Sequence, residues 1–355
     1  MQLSRAALVA CFAVPVALAF ALPATKLAFA PKGGAESKKT LTLEADISIV
    51  DISGDVNGQP LPPEATEQLT AQGLLVTMAT TVTDIYAATK DGRPVELLRT
   101  YEALDMDVEM GEESNSNDEV KAIEGKTIKF TWDEKAGSYE KSYHESEGEA
   151  ELIKELEADM DLLCLLPGKD LDEGDSWEVP AKDLGPLFLP GGMPSAGGEA
   201  ETGGPDMGAM LEQMQAEFEK AAETFKVTCT FKGTSEKDGI QVGEVSFVFD
   251  GKMSMDLSEM IQTVIEEQAG GEAPPMDISF NMGMGMKGEG TLWWNLAENR
   301  LHAYEMEASA EMDMAMEMSA DQGGQSMSVN MSGKAKGDMT WTLESAEAKK
   351  AEEGK

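Results

Sequence analysis

Methionine is the residue type whose spacing in this chain most suggests chemistry. The sequence holds 24 methionines in 355 residues. Many stand at every second position: Met253 and Met255; Met282, Met284 and Met286; Met312, Met314, Met316 and Met318; Met327 and Met331, four apart, keep the same parity. In a β-strand residues i and i+2 share a face, so each group builds a thioether wall, with Glu311, Asp313 and Glu317 facing the other way. Three uses compete. Met can fill a core in place of Leu and Val. It can line an adaptable apolar face for a lipid, a lipid-modified protein or another apolar molecule. Its soft sulfur also suits copper(I). The seven residues Met282, Met284, Met286, Met312, Met314, Met316 and Met318 are the candidate ligand-binding face.

Other reactive residue types are sparse. Beyond Cys11 there are only Cys164 and Cys229, a candidate disulfide if the chain is exported to an oxidising compartment. The two histidines, His144 and His302, each flank a strand. No Gly-x-Ser-x-Gly, His-Glu-x-x-His, Cys-x-x-Cys or phosphate-loop pattern occurs. Asp170-x-Asp172-x-Gly174-Asp175 starts like a calcium loop but lacks the acid and glycine required at its fifth and sixth positions. The expectation is therefore a non-catalytic protein with no cofactor and no metal centre built from His, Cys and carboxylates.

Charge narrows the partners. The formal net charge is −38, from 66 acidic and 28 basic residues. A balance this acidic repels nucleic acid and anionic lipid surfaces. An apolar small molecule or a lipid remains the expected partner.

The first 30 residues read as a secretory signal. Arg5 supplies the positive end, and Ala6 to Leu22 is apolar apart from Pro15. The tripeptide Ala-Phe-Ala, small residues at the two positions a signal peptidase reads, occurs twice, at 28–30 and at 19–21. Removing residues 1–30 takes away Arg5 and Lys26 and no acid, so −38 becomes −40. No later apolar run reaches 18 residues, so no transmembrane helix is expected in the mature chain. The expected location is periplasmic or extracellular.

Period-2 alternation dominates the chain beyond residue 40. Residues 41–50, 75–87 and 94–110 read as strands, the last two joined by a turn at Lys90-Asp91-Gly92. Residues 127–132 and 138–144 form a hairpin. Helical spacing predicts a helix at 149–166 that ends at Pro167-Gly168. Residues 190–208 are rich in Gly and Pro and read as a linker or long loop. Asp206 is placed to cap a helix to about 225, and 258–268 looks helical. Strands 226–233 and 242–249 turn at Lys237-Asp238-Gly239. Long alternating strands at 276–286 with 290–295, at 300–318 and at 327–343 come next, before a Lys/Glu/Ala tail at 345–355. Trp132-Asp133, three residues, Gly137 parallels Trp294-Asn295, three residues, Asn299. Both have Asp or Asn opening the turn and Gly or Asn where positive φ is needed.

Two segments resemble a group of secreted bacterial proteins of unknown function. They are Leu165-Leu166-Pro167 followed by Gly174-Asp175-Ser176-Trp177-Glu178, and Gly288-x-Gly290 leading into Trp294-Asn295. More remotely, long antiparallel strands with a few helices are similar in architecture to the half-barrels of periplasmic lipoprotein carriers, which implies an apolar concavity. The expected fold class is α+β: mostly antiparallel β, a long curved meander sheet, an open or half barrel, with two or three packing helices. The expected organisation is a signal at 1–30, an N-terminal β-rich half at 31–189, the linker at 190–208, a Met-rich β half at 209–344 and the tail. The leading expectation for function is an exported envelope protein that binds or carries an apolar ligand. The alternatives are a structural or surface-interaction protein with a closed core, and a copper(I)-binding protein.

Overall fold

A computed structural model describes residues 24–111, 113–116, 119–194, 224–258, 261–262, 276–322 and 325–347. The chain runs through β1 (Thr25–Lys26), β2 (Ala35–Val56), β3 (Gln59–Pro60), α1 (Pro63–Thr70), β4 (Gly73–Lys90), β5 (Arg93–Met110) and β6 (Glu113–Ser116). It continues with β7 (Thr127–Asp133), β8 (Ser138–His144), β9 (Asp170–Leu171), β10 (Ser176–Val179) and α2 (Gly185–Phe188). The last strands are β11 (Lys226–Lys237), β12 (Ile240–Asp256), β13 (Met276–Asn295), β14 (Arg300–Gln322) and β15 (Gln325–Ala346).

Thirteen strands form one antiparallel sheet, ordered β10-β11-β12-β13-β14-β15-β2-β4-β5-β7-β8, with β3 on β2 and β6 on β5. β2 and β15 are the seam through which strands from both ends of the sequence join. Local chemistry sets the hairpins. Asn57-Gly58, Asp91-Gly92 and Asp238-Gly239 all have positive φ at both residues, the geometry that matches strand twist and that Asn/Asp-Gly pairs adopt at low cost. The parallel between the Trp132 and Trp294 segments is real at the turn. Asp133 Oδ1 accepts from the N–H groups of Lys135 and Ala136, and Asn295 Oδ1 accepts from Ala297 and Glu298. Gly137 and Asn299 both have positive φ.

The α+β expectation is corrected: this is a β fold. The two α-helices bounded among the described residues span eight and four residues. The helix expected at 149–166 is two 3-10 turns, Glu151–Ile153 and Leu163–Leu165, joined by irregular chain in which Leu162 has positive φ. Of the apolar residues at helical spacing, Leu152, Ile153, Leu156 and Met160 are buried while Leu163 and Cys164 are half-buried; Leu162 and Leu165, off that spacing, are fully buried in the same core. Tertiary partners take the backbone groups a helix would have paired: Arg99 donates to the carbonyls of Glu157 and Ala158, and the Asp159 carboxylate accepts from Asp161 and Leu163 N–H. Burial on all sides produces the same apolar spacing as one face of a helix. The helix expected at 206–225 lies outside the described residues up to 223. Of 258–268, Ser258, Ile261 and Gln262 are described, and Ile261 N–H bonds the Leu257 carbonyl as in a helix.

The sheet must curl. The segment 157–188 contacts β5 and β4 through Arg99 and Tyr86, β2 through Lys39, β14 and β15 through Tyr304 and Trp341, and β12 through Phe249. Those strands would span roughly 29 Å if flat, at about 4.8 Å each. Glycines on the concave face make room for this. A Cβ on Gly288 or Gly290 would fall 2.5 or 2.3 Å from the Phe249 or Phe247 ring.

Residues 24–30 belong to this fold. β1 pairs with β9, Leu27 is fully buried, and the Phe29 ring meets Tyr86 edge-on at 5.3 Å and lies 6.5 Å from Trp294. Ala30 N–H donates to the Asn299 carbonyl. A cut after Ala30 would pass through this packed segment, whereas the Ala-Phe-Ala at 19–21 precedes it.

Candidate functional site: the methionine rows and the buried ion quartet

The concave face has two chemically different ends. At one end a buried ion network ties the 150–192 segment to the sheet. Alternation on β2, β4 and β5 turns Lys39, Asp84 and Arg99 inward, all with fully buried side chains. Arg99 grips Asp84 with two donors, Nε to Oδ1 at 2.7 Å and a terminal nitrogen to Oδ2 at 2.9 Å. Lys39 Nζ bridges Asp84 at 2.9 Å and Asp161 at 2.8 Å, and the Tyr86 hydroxyl donates to Asp161 at 2.7 Å. Burial alone would raise the Asp84 carboxyl; Arg99 and then Lys39 outweigh it and hold Asp84 below the usual range. Burial, then the neighbouring carboxylates, pushes the Tyr86 phenol well up. Two cations balance two carboxylates and the donors are satisfied, so the quartet acts as a lock on the segment rather than as an acid–base pair.

A second knot lies alongside. Arg300 donates to Ser37 Oγ and, at 2.7 Å, to Ser345 Oγ, and pairs with Glu298. Deeper in, α2 carries Phe188 onto Phe249 (5.4 Å), Trp341 (6.4 Å) and Phe225 (6.2 Å), while its carbonyl accepts from Trp341 Nε1. The polar segment reaches this rung of the sheet.

Beyond Phe188 the same face is apolar and rich in sulfur. Strand register puts Met253, Met284 and Met312 directly opposite one another across β12, β13 and β14, and Met255, Met282 and Met314 on the next rung. Phe280, Met316 and Met331 make the rung after that, then Ile278, Met318 and Val329. Across β15, Ile47, Ile49 and Ile52 of β2 face Gly337, Ala335 and Gly333. Met286 is 6% exposed, and Met253 and Met255 are buried with it. Met282, Met284, Met312, Met314, Met316 and Met318 are half-buried. The structure thus brings all seven candidate residues onto one face. Their strand neighbours Glu311, Asp313 and Glu317 are exposed on the other, where Lys336 and Lys334 meet Glu311 and Asp313.

An open depression of about 510 Å³ lies elsewhere. It is lined mainly by outward residues, including Asp250, Glu289, Glu307, Asp338 and Lys287. Carboxylate walls of this kind disfavour an apolar occupant.

The remaining candidates are structural. Cys229 is buried on β11 and Cys164 sits in the second 3-10 turn; both are free thiols. Burial pushes the Cys164 thiol well up, with Asp159 and Cys229 adding to it, and pushes Cys229 to about 12. Neither is poised as a thiolate nucleophile. His302 contacts Asp238 at 3.2 Å, and His144 lies 3.9 Å from Glu145. In the Asp170–Asp175 segment, Asp175 accepts from the Asp172 N–H and so closes its own turn. Among the described residues no group of three or more His, Cys, Asp and Glu could hold a metal ion, and no helix is long and apolar enough to cross a membrane. Sequence reasoning missed the ion quartet. Lys39, Asp84 and Arg99 sit at inward positions of alternating strands, and that misplaced polarity was the available signal.

No family model matches the chain, and no curated protein matches it. Among solved structures it is similar to a lipovitellin chain described for its lipid–protein interactions, at 6% identity and a TM-score of 0.32, over 92% of this chain but 27% of that one. It is also similar to the outer membrane protein OprG from Pseudomonas aeruginosa, at 10% identity and TM-score 0.20, over 89% and 98%. A third likeness is to an outer membrane channel from Pseudomonas putida F1, at 8% and 0.18, over 90% and 98%. The chain spans about a quarter of the lipovitellin chain. At these TM-scores the likeness is one of long antiparallel strands and carries no inference about what the protein does.

Proposed function

We propose that this is an exported, non-catalytic protein that holds an apolar ligand, such as an acyl chain, on the Met-lined end of its concave sheet. One observation carries the reading. From the Met253–Met284–Met312 rung onward the concave face is continuously apolar across β12 to β15 and β2, yet most of its large side chains stay half-exposed. Half-exposed apolar rows leave favourable burial unrealised, about 25 cal/mol per Å², and contiguous patches of that kind mark ligand or partner surfaces. Met suits a ligand without fixed shape, because its side chain has three rotatable bonds and a polarisable sulfur. With a net charge of −38, the protein disfavours an anionic headgroup, so a neutral or cationic lipid fits better than a fatty-acid anion.

The test is uptake of Nile red, an uncharged apolar dye, by delipidated protein, with displacement by a long-chain alcohol and native mass spectrometry of the untreated protein. Saturable dye uptake that Met314→Asp and Met316→Asp each weaken is the expected result. Absence of both a co-purifying lipid and dye uptake would sink the proposal.

A further inference from the structure

We propose that the same rows contain a thioether site for a soft monovalent cation of the copper(I) or silver(I) class. Such a site needs sulfur rather than hydrophobicity, and so stands apart from the apolar-ligand reading. Six methionines occupy two successive rungs of three adjacent strands: Met253, Met284 and Met312, then Met255, Met282 and Met314. Directly opposed residues have Cβ atoms about 4.5–5.5 Å apart, and rungs on one face are separated by about 7 Å. Side chains with three rotatable bonds can therefore bring three sulfurs around one point with the backbone fixed.

A core built for packing alone has no need of sulfur in register. Leu fills comparable volume with better-defined rotamers, yet all six positions carry Met. Thioether donors are soft and select copper(I) over hard or borderline divalent ions. They are also neutral and never protonated in water, so such a site binds without releasing protons, unlike one made of Cys or His. The chain's net charge of −38 raises the local concentration of cations. Met253 and Met255 are 5% and 1% exposed, whereas Met282, Met284, Met312 and Met314 are half-buried, so an ion reaches the rungs from the β13–β14 side.

Silver(I), which has no accessible second oxidation state, is the probe. The whole protein, carrying methionine labelled with carbon-13 at its ε-methyl groups, is titrated with silver(I) against a competing thioether chelator and followed by NMR. The expected result is saturation of a few methyl signals, those of the two rungs, with unchanged affinity between pH 5 and 8. The variant Met282→Leu/Met284→Leu/Met312→Leu/Met314→Leu keeps the face apolar. It should lose at least about 100-fold in silver affinity, the most that even outer-shell changes cost a metal site, with the circular dichroism spectrum of the folded protein kept. Should that variant not fold, Met312→Leu/Met314→Leu, at two half-buried positions, serves the same purpose. Wild-type protein that fails to withdraw silver from the chelator overturns the proposal. So does a Leu variant that binds silver as tightly as wild type, which would place the ion on Cys164, Cys229 or surface carboxylates. Loss of dye uptake with silver binding intact would instead count against the apolar-ligand reading alone.

Discussion

Replacing Phe29 by Ala tests where the mature protein begins and whether the residues before 31 hold the fold together. The ring is 4% exposed and wedged against Tyr86 at 5.3 Å and Trp294 at 6.5 Å. Deleting a buried Phe side chain costs about 3–5 kcal/mol in lost transfer and cavity terms, of which about 0.5–1.5 kcal/mol reflects aromatic contact geometry. At the roughly 2–4 °C per kcal/mol of a 150–250-residue domain, an upper bound for this longer chain, the drop is at most about 6–20 °C. Tyr86 also donates to Asp161, and loosening it against an empty wedge would strain the ion quartet in the same direction. The assay is thermal and urea unfolding of protein secreted by the host, with the intact mass of each sample. Phe20→Ala, in the earlier Ala-Phe-Ala, is the control and should leave the mature protein unchanged in mass and stability. Two results would refute a structural role for Phe29. If secreted Phe29→Ala and wild-type proteins have the same mass and melt together, residue 29 has left with the leader. If the masses differ by the substitution and the stabilities do not, the ring is present but holds nothing.

Three further outcomes are expected. Asp84→Ala removes the carboxylate that Arg99 and Lys39 share, leaving Lys39 with Asp161 and buried Arg99 with only the Glu157 and Ala158 carbonyls; breaking a buried pair costs about 3–5 kcal/mol, read as a lower urea midpoint, with amide exchange accelerating first in 157–163. Burial, reinforced by Asp161, raises the Asp159 carboxyl to about 6. A raised carboxyl binds its proton more tightly folded than unfolded, so stability should rise as pH falls from about 6 to about 4; since Asp159 is only half-buried, the gain is held to about 1–2 kcal/mol. Asp159→Asn should flatten that slope in a denaturant series across pH, even though one of its two backbone donors loses a partner. At lower pH the sign reverses, because Asp84 lies below the usual range and its contribution disappears as it takes up a proton. Gly290→Ala places a Cβ 2.3 Å from the Phe247 ring and 2.5 Å from the Glu305 carbonyl; overpacking of this kind costs about 1–3 kcal/mol, and a variant as stable as wild type would show that the glycine is not needed for the curl.

Much of this protein is legible without coordinates. Alternation fixes which residues of a strand share a face, so Met312 to Met318 had to lie on one side and Glu311, Asp313 and Glu317 on the other. Turn chemistry is equally local: Asp91-Gly92, Asp238-Gly239, and the Asp133 and Asn295 turns form where their side chains and positive-φ residues require. Tertiary structure decided the rest. The 149–166 segment has helical spacing but is surrounded by sheet, and partners such as Arg99, distant in sequence, took the backbone carbonyls a helix would have kept. Phe29 reads equally well as the end of a leader and as core, because an apolar residue beside small ones suits both; only contact with Tyr86 and Trp294 separates them. Lys39, Asp84, Arg99 and Asp161 form a quartet because β2, β4 and β5 are neighbours and the segment crosses them. The Met rows became rungs for the same reason, since alternation aligns residues within a strand while pairing across strands sets which sulfurs face each other.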